Sequence, residues 1–299
     1  MVDFNSVTSE DLNIKLRKFY AEAQPKDKVK RENVMSAGQA VEYHKNTLKN
    51  IRAALNRHLH DIGIGQDVDI VKDKQFKTSD MLDSKLKFNV KEGISRSTKH
   101  KQIIVPADLE KISTFLNESS NPVILRFRNW LNLSVHFVSR GLEFHQQLNL
   151  KSFKFSKDEN NCEYVTIVHE TKQKNHQGGV DSVEAPTDKR MYATNDTYCP
   201  VEALRSLIAK TRPDAKSLFN NCSKDALNSP NTEPVWYTTI PVKQYQFTRF
   251  MADISRQSKT NTVCTAHCLR ATSIQAMSDA GFEMRHIMFM SGHRSESAV

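Results

Sequence analysis

Apolar residues recur at helical spacing through the first part of the chain. Thr8 lies where a helix N-cap is expected, with Asp11 three residues later. The apolar stripe of this first helix is formed by Leu12, Leu16, Phe19 and Tyr20. A second helix is predicted over 38–60. Its buried face is expected to carry Leu48, Ile51, Leu55 and Leu59.

The hydrophobic pattern changes twice in the rest of the chain. Helices are predicted to begin at Pro106 and Pro122, because proline suits the first turn of a helix. Alternating residues then predict strands at 148–155 and 164–168, followed by a polar turn at 171–179 and a third strand. Helical spacing returns in four segments, 200–212, 243–257, 265–280 and 283–290. Gly281 and Gly292 are expected helix ends. The predicted fold class is mainly α, an α+β protein with a small antiparallel β-sheet.

The amino-acid composition and charge exclude some classes of protein. Apolar residues make up 38% of the chain and charged residues 26%, so the chain can bury a core. No apolar run approaches the roughly 18 residues that a membrane span needs. The polar N-terminus lacks the apolar stretch of a secretory signal. The net charge of +9 favours a polyanionic partner. We therefore expect an intracellular protein that does not associate with membranes.

A basic segment separates the helical N-terminal part of the chain from the part that begins at about residue 103. Residues 85–101 contain six Lys or Arg and one acid, Glu92, a net charge of +5. This predicts a linker at 85–102 between a helical N-terminal domain, 1–84, and a larger domain, 103–299. A basic linker suits a chain that crosses a DNA duplex, because each neutralised phosphate releases counterions. A solvated hinge is the alternative. If the linker crosses DNA, its DNA-binding residues are Arg96, Lys99 and Lys101.

The second predicted helix has a basic face. Its cations away from the apolar stripe are Lys45, Lys49, Arg52 and Arg57. Such a face is either simply solvated or lies on DNA, where Lys and Arg neutralise phosphates. The pattern alone is compatible with both.

Two motifs near the C-terminus place imidazoles beside a guanidinium. His267 and Arg270 are three residues apart on a predicted helix, so both project from one face. An imidazole next to a cation is poor core filling, because each group needs a partner or water. His293 follows Gly292, the expected end of the next helix.

Two further motifs carry charged residues between predicted elements. Arg140 follows a long apolar helix, with the acid Glu143 three residues later. Lys172 and Lys174 lie in the polar turn that joins the second and third predicted strands. Each motif is weak by itself.

The cysteines predict free thiols and no metal site. Their number, five, is odd, and no signal peptide implies an oxidising compartment. Cys264, His267 and Cys268 match no common zinc spacing and have no second ligand pair. Buried small side chains are the better interpretation of these cysteines.

Taken in order, these motifs resemble the catalytic domain of the tyrosine recombinases. That pattern is an arginine with an acid three residues later, a lysine in a β-hairpin, an HxxR helix and a GH element. The amino-acid sequences of these motifs resemble in particular the Crypton-type recombinases of eukaryotic DNA transposons and the host proteins derived from them. The segments that carry the resemblance are 99–101 (KHK), 174–179 (KNHQGG), 199–201 (CPV), 236–237 (WY), 267–272 (HCLRAT) and 291–295 (SGHRS).

The resemblance implies a set of residues around a scissile DNA phosphate. Guanidiniums and imidazoles would bind the phosphate oxygens, and a hairpin lysine would protonate the leaving 5′ oxygen. The catalytic residues so implied are Arg140, Lys174, His267, Arg270 and His293. Lys172 is the alternative hairpin lysine, and Glu143 would orient neighbouring groups. A phosphotyrosyl intermediate conserves the energy of the cleaved bond, so the resemblance implies no cofactor, neither ATP nor an obligatory metal.

The tyrosine nucleophile of that family is missing from this sequence. In the family it follows the GH element on the next helix, a place that falls beyond Val299 here. None of the seven tyrosines occupies it, and Tyr237 is expected to be a packing aromatic. We therefore expect a catalytic domain truncated before the nucleophile. It would hold a phosphate but attack it only if a missing tail or another copy supplied the tyrosine.

Two functions follow from these observations. The first is a DNA-binding tyrosine-recombinase-like protein for DNA integration or site-specific recombination. The alternative is a domesticated, non-catalytic DNA- or chromatin-binding module of transposon origin. The resemblance implies double-stranded DNA as partner and a homo-oligomer on it, a synaptic tetramer in which the helical N-terminal (core-binding) domain and the catalytic domain clamp the duplex. A nuclear location follows from the DNA role. Arg270 is expected to face the cleft.

Overall fold

The structure is a computed structural model that divides the chain into two compact units, Met1–Lys99 and His100–Val299. It describes residues 8–25, 42–62, 68–73, 76, 78–94, 102–117, 121–139, 143–169, 189–293 and 295–296. The elements are mainly helical with two small antiparallel sheets, which confirms the predicted fold class. The predicted functional residues that lie outside the described ranges are Arg96, Lys99, Lys101, Arg140, Lys172 and Lys174.

The first unit contains three described helices around a small core. These are α1 (Ser9–Glu22), α2 (Lys45–Asp61) and α3 (Thr78–Lys91). The Oγ1 of Thr8 accepts a hydrogen bond from the N–H of Asp11 at 3.2 Å and so caps α1. The core of the unit is formed by Leu12, Leu16, Tyr20, Leu48, Leu59, Val68, Ile70, Phe76 and Leu82.

Two details of the predicted α1 and α2 are corrected by the structure. Phe19 is 39% exposed, because it lies at the edge of the stripe while Tyr20 turns inward. Helix α2 begins at Lys45 rather than at residue 38, since the imidazole Nδ1 of His44 accepts from the N–H of Asn46 at 3.2 Å. This contact fixes the first turn of α2.

Part of the predicted linker is helical. Residues 85–91 are the last two turns of α3, which the sequence prediction missed. The side chain of Lys85 is only 9% exposed. Its Nζ lies 3.2 Å from the carboxylate of Glu42 and donates to the carbonyl of Ala21 at 3.1 Å. A lysine held in this way serves the packing of the unit rather than a DNA phosphate. Leu82 and Leu86 pack α3 on the core of the unit. The many charged residues around them obscured this helical spacing in the sequence.

The second unit is the larger one and carries the remaining elements. Its helices are α4 (Pro106–Asn117), α5 (Pro122–His136), α6 (Glu143–Gln146), α7 (Pro200–Ala209), α8 (Lys224–Asn228), α9 (Gln244–Gln257), α10 (Ala266–Asp279) and α11 (Met284–Ser291). Its strands are β1 (Phe153–Lys157), β2 (Glu163–Ile167), β3 (Met191–Tyr192), β4 (Asn220–Cys222) and β5 (Tyr237–Pro241). Helices α4 and α5 begin at the two prolines that the sequence singles out.

Helix α5 runs through the core of the second unit. Phe127, Trp130 and Leu133 on it are all at most 4% exposed. The aromatic ring of Phe250, on α9, meets Phe127 edge-on at 5.0 Å between centroids. Tyr237 is 1% exposed, and its hydroxyl donates to the carbonyl of Pro122 at 2.6 Å. The expectation that Tyr237 is a packing aromatic is confirmed.

The three-stranded sheet is antiparallel, in the order β1-β2-β3. Val165 of β2 stands opposite Phe155 of β1 and Met191 of β3, and this face packs on the core. β1 begins at Phe153, so the predicted inclusion of Leu148 and Leu150 in this strand is wrong. Leu148 is buried before the strand, where its carbonyl accepts from the N–H of Leu218 at 2.8 Å.

Short elements escaped the sequence prediction. Helices α6 and α8 and the two-stranded sheet of β4 and β5 are too short to produce a clear hydrophobic period. In the described residues, no helix combines the length and apolar character that crossing a membrane requires.

Candidate functional site

Helix α10 brings His267 and Arg270 to one cavity. The cavity has a volume of about 260 Å³, and both side chains line it, as their spacing of three residues predicts. His267 is exposed, so the cavity reaches the surface there. Arg270 is only 7% exposed. The remaining lining residues are Trp130, Ser134, Ser139, His145, Thr248, Thr265, Ala266 and Leu269.

Arg270 is held by backbone carbonyls from two other segments. Its Nη1 donates to the carbonyl of Val138 at 2.7 Å, and its Nη2 donates to the carbonyl of Ser291. Both carbonyls are neutral, so neither cancels the charge of the guanidinium. The expectation that Arg270 faces a cleft is therefore only partly right. The side chain lines the cavity, but it is also a buried tie between α10 and the ends of α5 and α11.

The backbone around Val138 is strained beside this site. Val138 follows α5 with a φ of 45°, a left-handed conformation that a β-branched residue rarely adopts. The bond from Arg270 to the Val138 carbonyl helps to hold this turn. Ser139 lines the cavity directly after it, and Arg140 follows outside the described residues. Such strain is typical of positions where the surrounding structure fixes a functional turn.

His293 reaches Arg270 because the chain reverses at Gly292. Gly292 ends α11 with a φ of 64°, which glycine adopts without penalty. The N–H of His293 then donates to the carbonyl of Met288 at 3.2 Å. The imidazole Nε2 lies 3.4 Å from Nη2 of Arg270, and its Nδ1 lies 2.9 Å from Oγ of Ser291. Arg270 thus joins His293 on one side, and lines the cavity with His267 on the other.

Lys189 is a further cation at this site, and the sequence analysis missed it. Its Nζ donates to the carbonyl of Met290 at 2.6 Å, one residue before the carbonyl that Arg270 binds. Burial and the nearby charge of Arg270 lower the pKa of Lys189 to about 8. Lys189 lies just before β3, and no local motif marks it. Its hydrogen bond to the carbonyl of Met290, near the end of α11, brings it near Arg270.

A buried histidine forms part of the cavity wall. The hydroxyl of Ser134 donates to the carbonyl of Trp130 at 2.7 Å and lies 3.1 Å from Nε2 of His145. Since a serine hydroxyl has one hydrogen, it accepts from His145, which fixes the Nε2–H tautomer. Burial lowers the pKa of His145 to about 3, against the opposing effect of the Trp130 carbonyl. The sequence analysis missed His145, which is neutral here.

Glu143 stands apart from these groups. It is the exposed first residue of α6, and no hydrogen bond or ion pair joins its carboxylate to another residue in the part of the chain that the structure describes. Its predicted orienting role is therefore not visible among the described contacts.

All seven tyrosines belong to the described residues, and none of them lines the cavity. Tyr20 and Tyr237 are buried in the cores of their units. Burial raises the pKa of Tyr20 to about 12 and that of Tyr237 well above its usual value. Neither hydroxyl is suited to act as a nucleophile.

The predicted DNA-binding residues of the first unit that lie within the described ranges are those of α2. Lys45, Lys49 and Arg57 are exposed, and Arg52 is half-buried near Tyr20. The Oδ1 of Asn56 accepts from the N–H of Ile70 at 2.9 Å, so this residue of α2 faces its own unit.

Across the described residues, no group of three or more His, Cys, Asp or Glu side chains could hold a metal ion.

Comparison with known proteins identifies integrases and recombinases among solved structures. No protein-family model and no curated protein matches the sequence. The Tn1549 transposon integrase, in complex with transposon right-end DNA, is 14% identical with a TM-score of 0.47. The match covers 100% of this chain and 81% of that chain.

Two further structures are similar at the same level. A lambda integrase dimer bound to a core site is 11% identical with a TM-score of 0.42, covering 99% of this chain and 88% of that chain. The XerH site-specific recombinase bound to its difH substrate is 15% identical with a TM-score of 0.42, covering 86% and 66%. At these values the similarity does not by itself assign a family or an activity to this chain.

Proposed function

We propose that the second unit binds a phosphodiester of double-stranded DNA at Arg270, within a tyrosine-recombinase-like protein for DNA integration or site-specific recombination. The observation that carries this proposal is the convergence of Arg270, Lys189 and His293 at the end of α11, next to a cavity that opens at His267. Arg270 and Lys189 bring two cations together there, and a phosphate is a group that such a pair favours.

The chemistry of this set suits a phosphate whose charge increases during reaction. The Arg270 guanidinium and the exposed imidazole of His267 can donate to non-bridging oxygens and stabilise a pentavalent phosphorus. The imidazole of His293, which accepts from Arg270 here, would add a third donor after turning from it. Lys174 and Lys172 remain the hairpin lysines proposed to protonate the leaving oxygen. Lys189 is a third candidate, because its ammonium group lies near Arg270 at the proposed phosphate site. Arg140 would complete the set next to Ser139.

The source of a nucleophile separates the two candidate functions. Because none of the seven tyrosines lines the cavity, cleavage through a phosphotyrosyl intermediate needs a tyrosine from elsewhere, for example from a second copy. This same observation favours the alternative, a non-catalytic DNA- or chromatin-binding module derived from a transposon. The first proposal has three further parts: a relationship to Crypton-type recombinases, assembly as a synaptic tetramer on DNA, and a nuclear location.

The first experiment measures duplex binding. Fluorescence anisotropy with a labelled duplex compares the wild-type chain with His267→Ala, which removes an exposed imidazole at the cavity, and with Arg256→Ala as control. Arg256 is exposed, pairs with Asp253, and lies away from the cavity lining. A loss of affinity for His267→Ala alone supports the proposal. Equal affinities for all three proteins would refute it.

A second experiment separates cleavage from binding. A nicked duplex traps a phosphotyrosyl adduct, which survives denaturation and shifts the protein on a gel. An adduct that disappears in Arg270→Lys supports recombinase chemistry. Binding without any adduct supports the non-catalytic module instead.

A further inference from the structure

The outer face of the three-stranded sheet carries an aromatic and basic patch. Alternation along the strands sends Val165, Ile167 and Met191 into the core. Tyr164 and Tyr192 stand opposite each other on the other face, where Tyr192 is 39% exposed. We call this face the outer sheet face. Its described residues are Lys154, Ser156, Tyr164, Thr166, Arg190 and Tyr192.

Three of these side chains form one stacked group. The guanidinium carbon of Arg190 lies 4.5 Å from the ring centroid of Tyr164. Its Nη1 donates to the hydroxyl of Tyr192 at 3.3 Å. The two tyrosine rings are 5.5 Å apart between centroids and tilted by 46°. A planar cation and two rings held together in this way form a platform of flat surfaces.

The described residues of the outer sheet face have a net positive charge. Lys154 and Arg190 are its cations, and none of its six residues is acidic. Glu163, the acid of β2, belongs to the opposite alternation and pairs with Arg205. The face is therefore complementary to a partner that combines negative charge with flat rings.

This face and the candidate phosphate site are served by neighbouring residues that turn in different directions. Lys189 and Arg190 are consecutive residues: Lys189 turns to the carbonyl of Met290, whereas Arg190 turns to Tyr164.

We propose that the outer sheet face binds an unpaired segment of nucleic acid, with bases stacked on the group formed by Tyr164, Arg190 and Tyr192 and phosphates near Lys154. An unpaired strand fits better than a duplex, because stacked bases in a duplex do not offer their flat surfaces to side chains. The identity of the partner as nucleic acid rests on the proposed function. The need for unpaired bases rests on the outer sheet face alone.

A purely structural role would give the same contacts but different binding. Cross-strand aromatic pairs stabilise sheets, and a cation above a ring adds to this. In that case substitutions would change the stability of the sheet but would not distinguish strands with bases from strands without them. The experiment is built on this difference.

The test compares two oligonucleotides on the full chain. One is a labelled oligothymidylate of about twelve nucleotides, a length within the usual site size. The other is an abasic strand with the same number of phosphates. At one salt concentration, we expect the wild-type chain to bind the thymidylate at least about fivefold more tightly than the abasic strand. Equal affinities would overturn the proposal.

Variants then locate the preference. Tyr192→Leu and Arg190→Lys should abolish the preference for bases, since the first removes a ring and the second removes the planar group but keeps the charge. Tyr192→Phe, which keeps the ring, should retain it. Thermal melting identifies any variant that fails to fold. A preference that persists in both Tyr192→Leu and Arg190→Lys would overturn the assignment to this face.

The outcome is distinguishable from failure of the proposed function. Duplex binding is read from His267→Ala, which lies outside the outer sheet face. A chain that binds duplex through His267 but shows no preference for bases contradicts only the further inference. A chain that prefers bases but binds duplex equally well without the His267 imidazole contradicts only the proposed function.

Discussion

Lys189 and Arg270 donate hydrogen bonds to consecutive backbone carbonyls, those of Met290 and Ser291. Two cations are thereby held side by side at the C-terminal end of α11, where the helix dipole favours positive charge. Burial lowers the pKa of Lys189 to about 8, and repulsion from Arg270 contributes to this shift. A bound anion would relieve that repulsion, and several expected outcomes follow from this arrangement.

Binding of duplex DNA should weaken as the pH rises above about 8. Lys189 has its low pKa in the free protein, and a bound phosphate would raise it, so the protonated lysine binds better and its loss reduces affinity. We expect a fall of up to about tenfold per pH unit above pH 8. Anisotropy titrations between pH 7.5 and 9.5 measure it. Lys189→Arg, which stays charged, should remove this dependence; a variant with an unchanged profile would show that another group titrates.

Arg270→Ala should destabilise the second unit as well as abolish DNA binding. The substitution leaves the carbonyls of Val138 and Ser291 without their charged donor in a buried place. Lost hydrogen bonds to a charged group cost about 1.5–3 kcal/mol each. Chemical denaturation followed by circular dichroism measures this loss. His267→Ala, an exposed change on the same helix, serves as control and should leave the midpoint nearly unchanged.

Acid should destabilise the second unit partly through His145. The folded-state pKa is lowered to about 3 from 6.5, so the unfolded chain binds the proton first. The stabilising contribution is complete above pH 6.5. It is lost as the pH falls towards 3, at roughly 1.4 kcal/mol per pH unit. His145→Phe should show a shallower decline of unfolding free energy over this range. His286→Gln, an exposed change, should keep the wild-type slope.

Tyr237→Phe should reduce the stability of the second unit without affecting DNA binding. The change removes the buried hydroxyl that donates to the carbonyl of Pro122 at 2.6 Å. A net loss of about 1 kcal/mol is expected from one neutral hydrogen bond, and more from the carbonyl left unsatisfied. Thermal melting and duplex anisotropy check the two parts. A loss of DNA cleavage in this variant would contradict the assignment of Tyr237 to the core.

The exposed cations of α2 should contribute to the salt dependence of binding. If Lys45 and Lys49 contact phosphates, replacing both with alanine should reduce the slope of log K against log salt by up to about 1.8. Lys87→Ala is the matched control, because Lys87 is exposed on α3 and pairs with Asp83. Equal slopes for all three proteins would leave the basic face of α2 with no role in DNA binding.

Long periodic segments were predictable, whereas short or charged ones were not. Pro106 and Pro122 begin α4 and α5 as expected, and Gly292 ends α11 in the left-handed conformation that favours glycine. Helix α3 was missed because its lysines obscure the apolar spacing of Leu82 and Leu86. The strands β4 and β5 depend on each other rather than on a local pattern.

The sequence by itself determined the mainly helical fold class and placed His267 and Arg270 on one helix face, because helical periodicity is a local property. Only the tertiary structure decided that Arg270 is buried against Val138 and Ser291. It also decided that Lys189 joins Arg270 and that His145 is neutral. These depend on hydrogen bonds and burial between segments far apart in the chain. Contacts of that kind leave no period in the sequence, and the protonation of a buried group depends on all of them together.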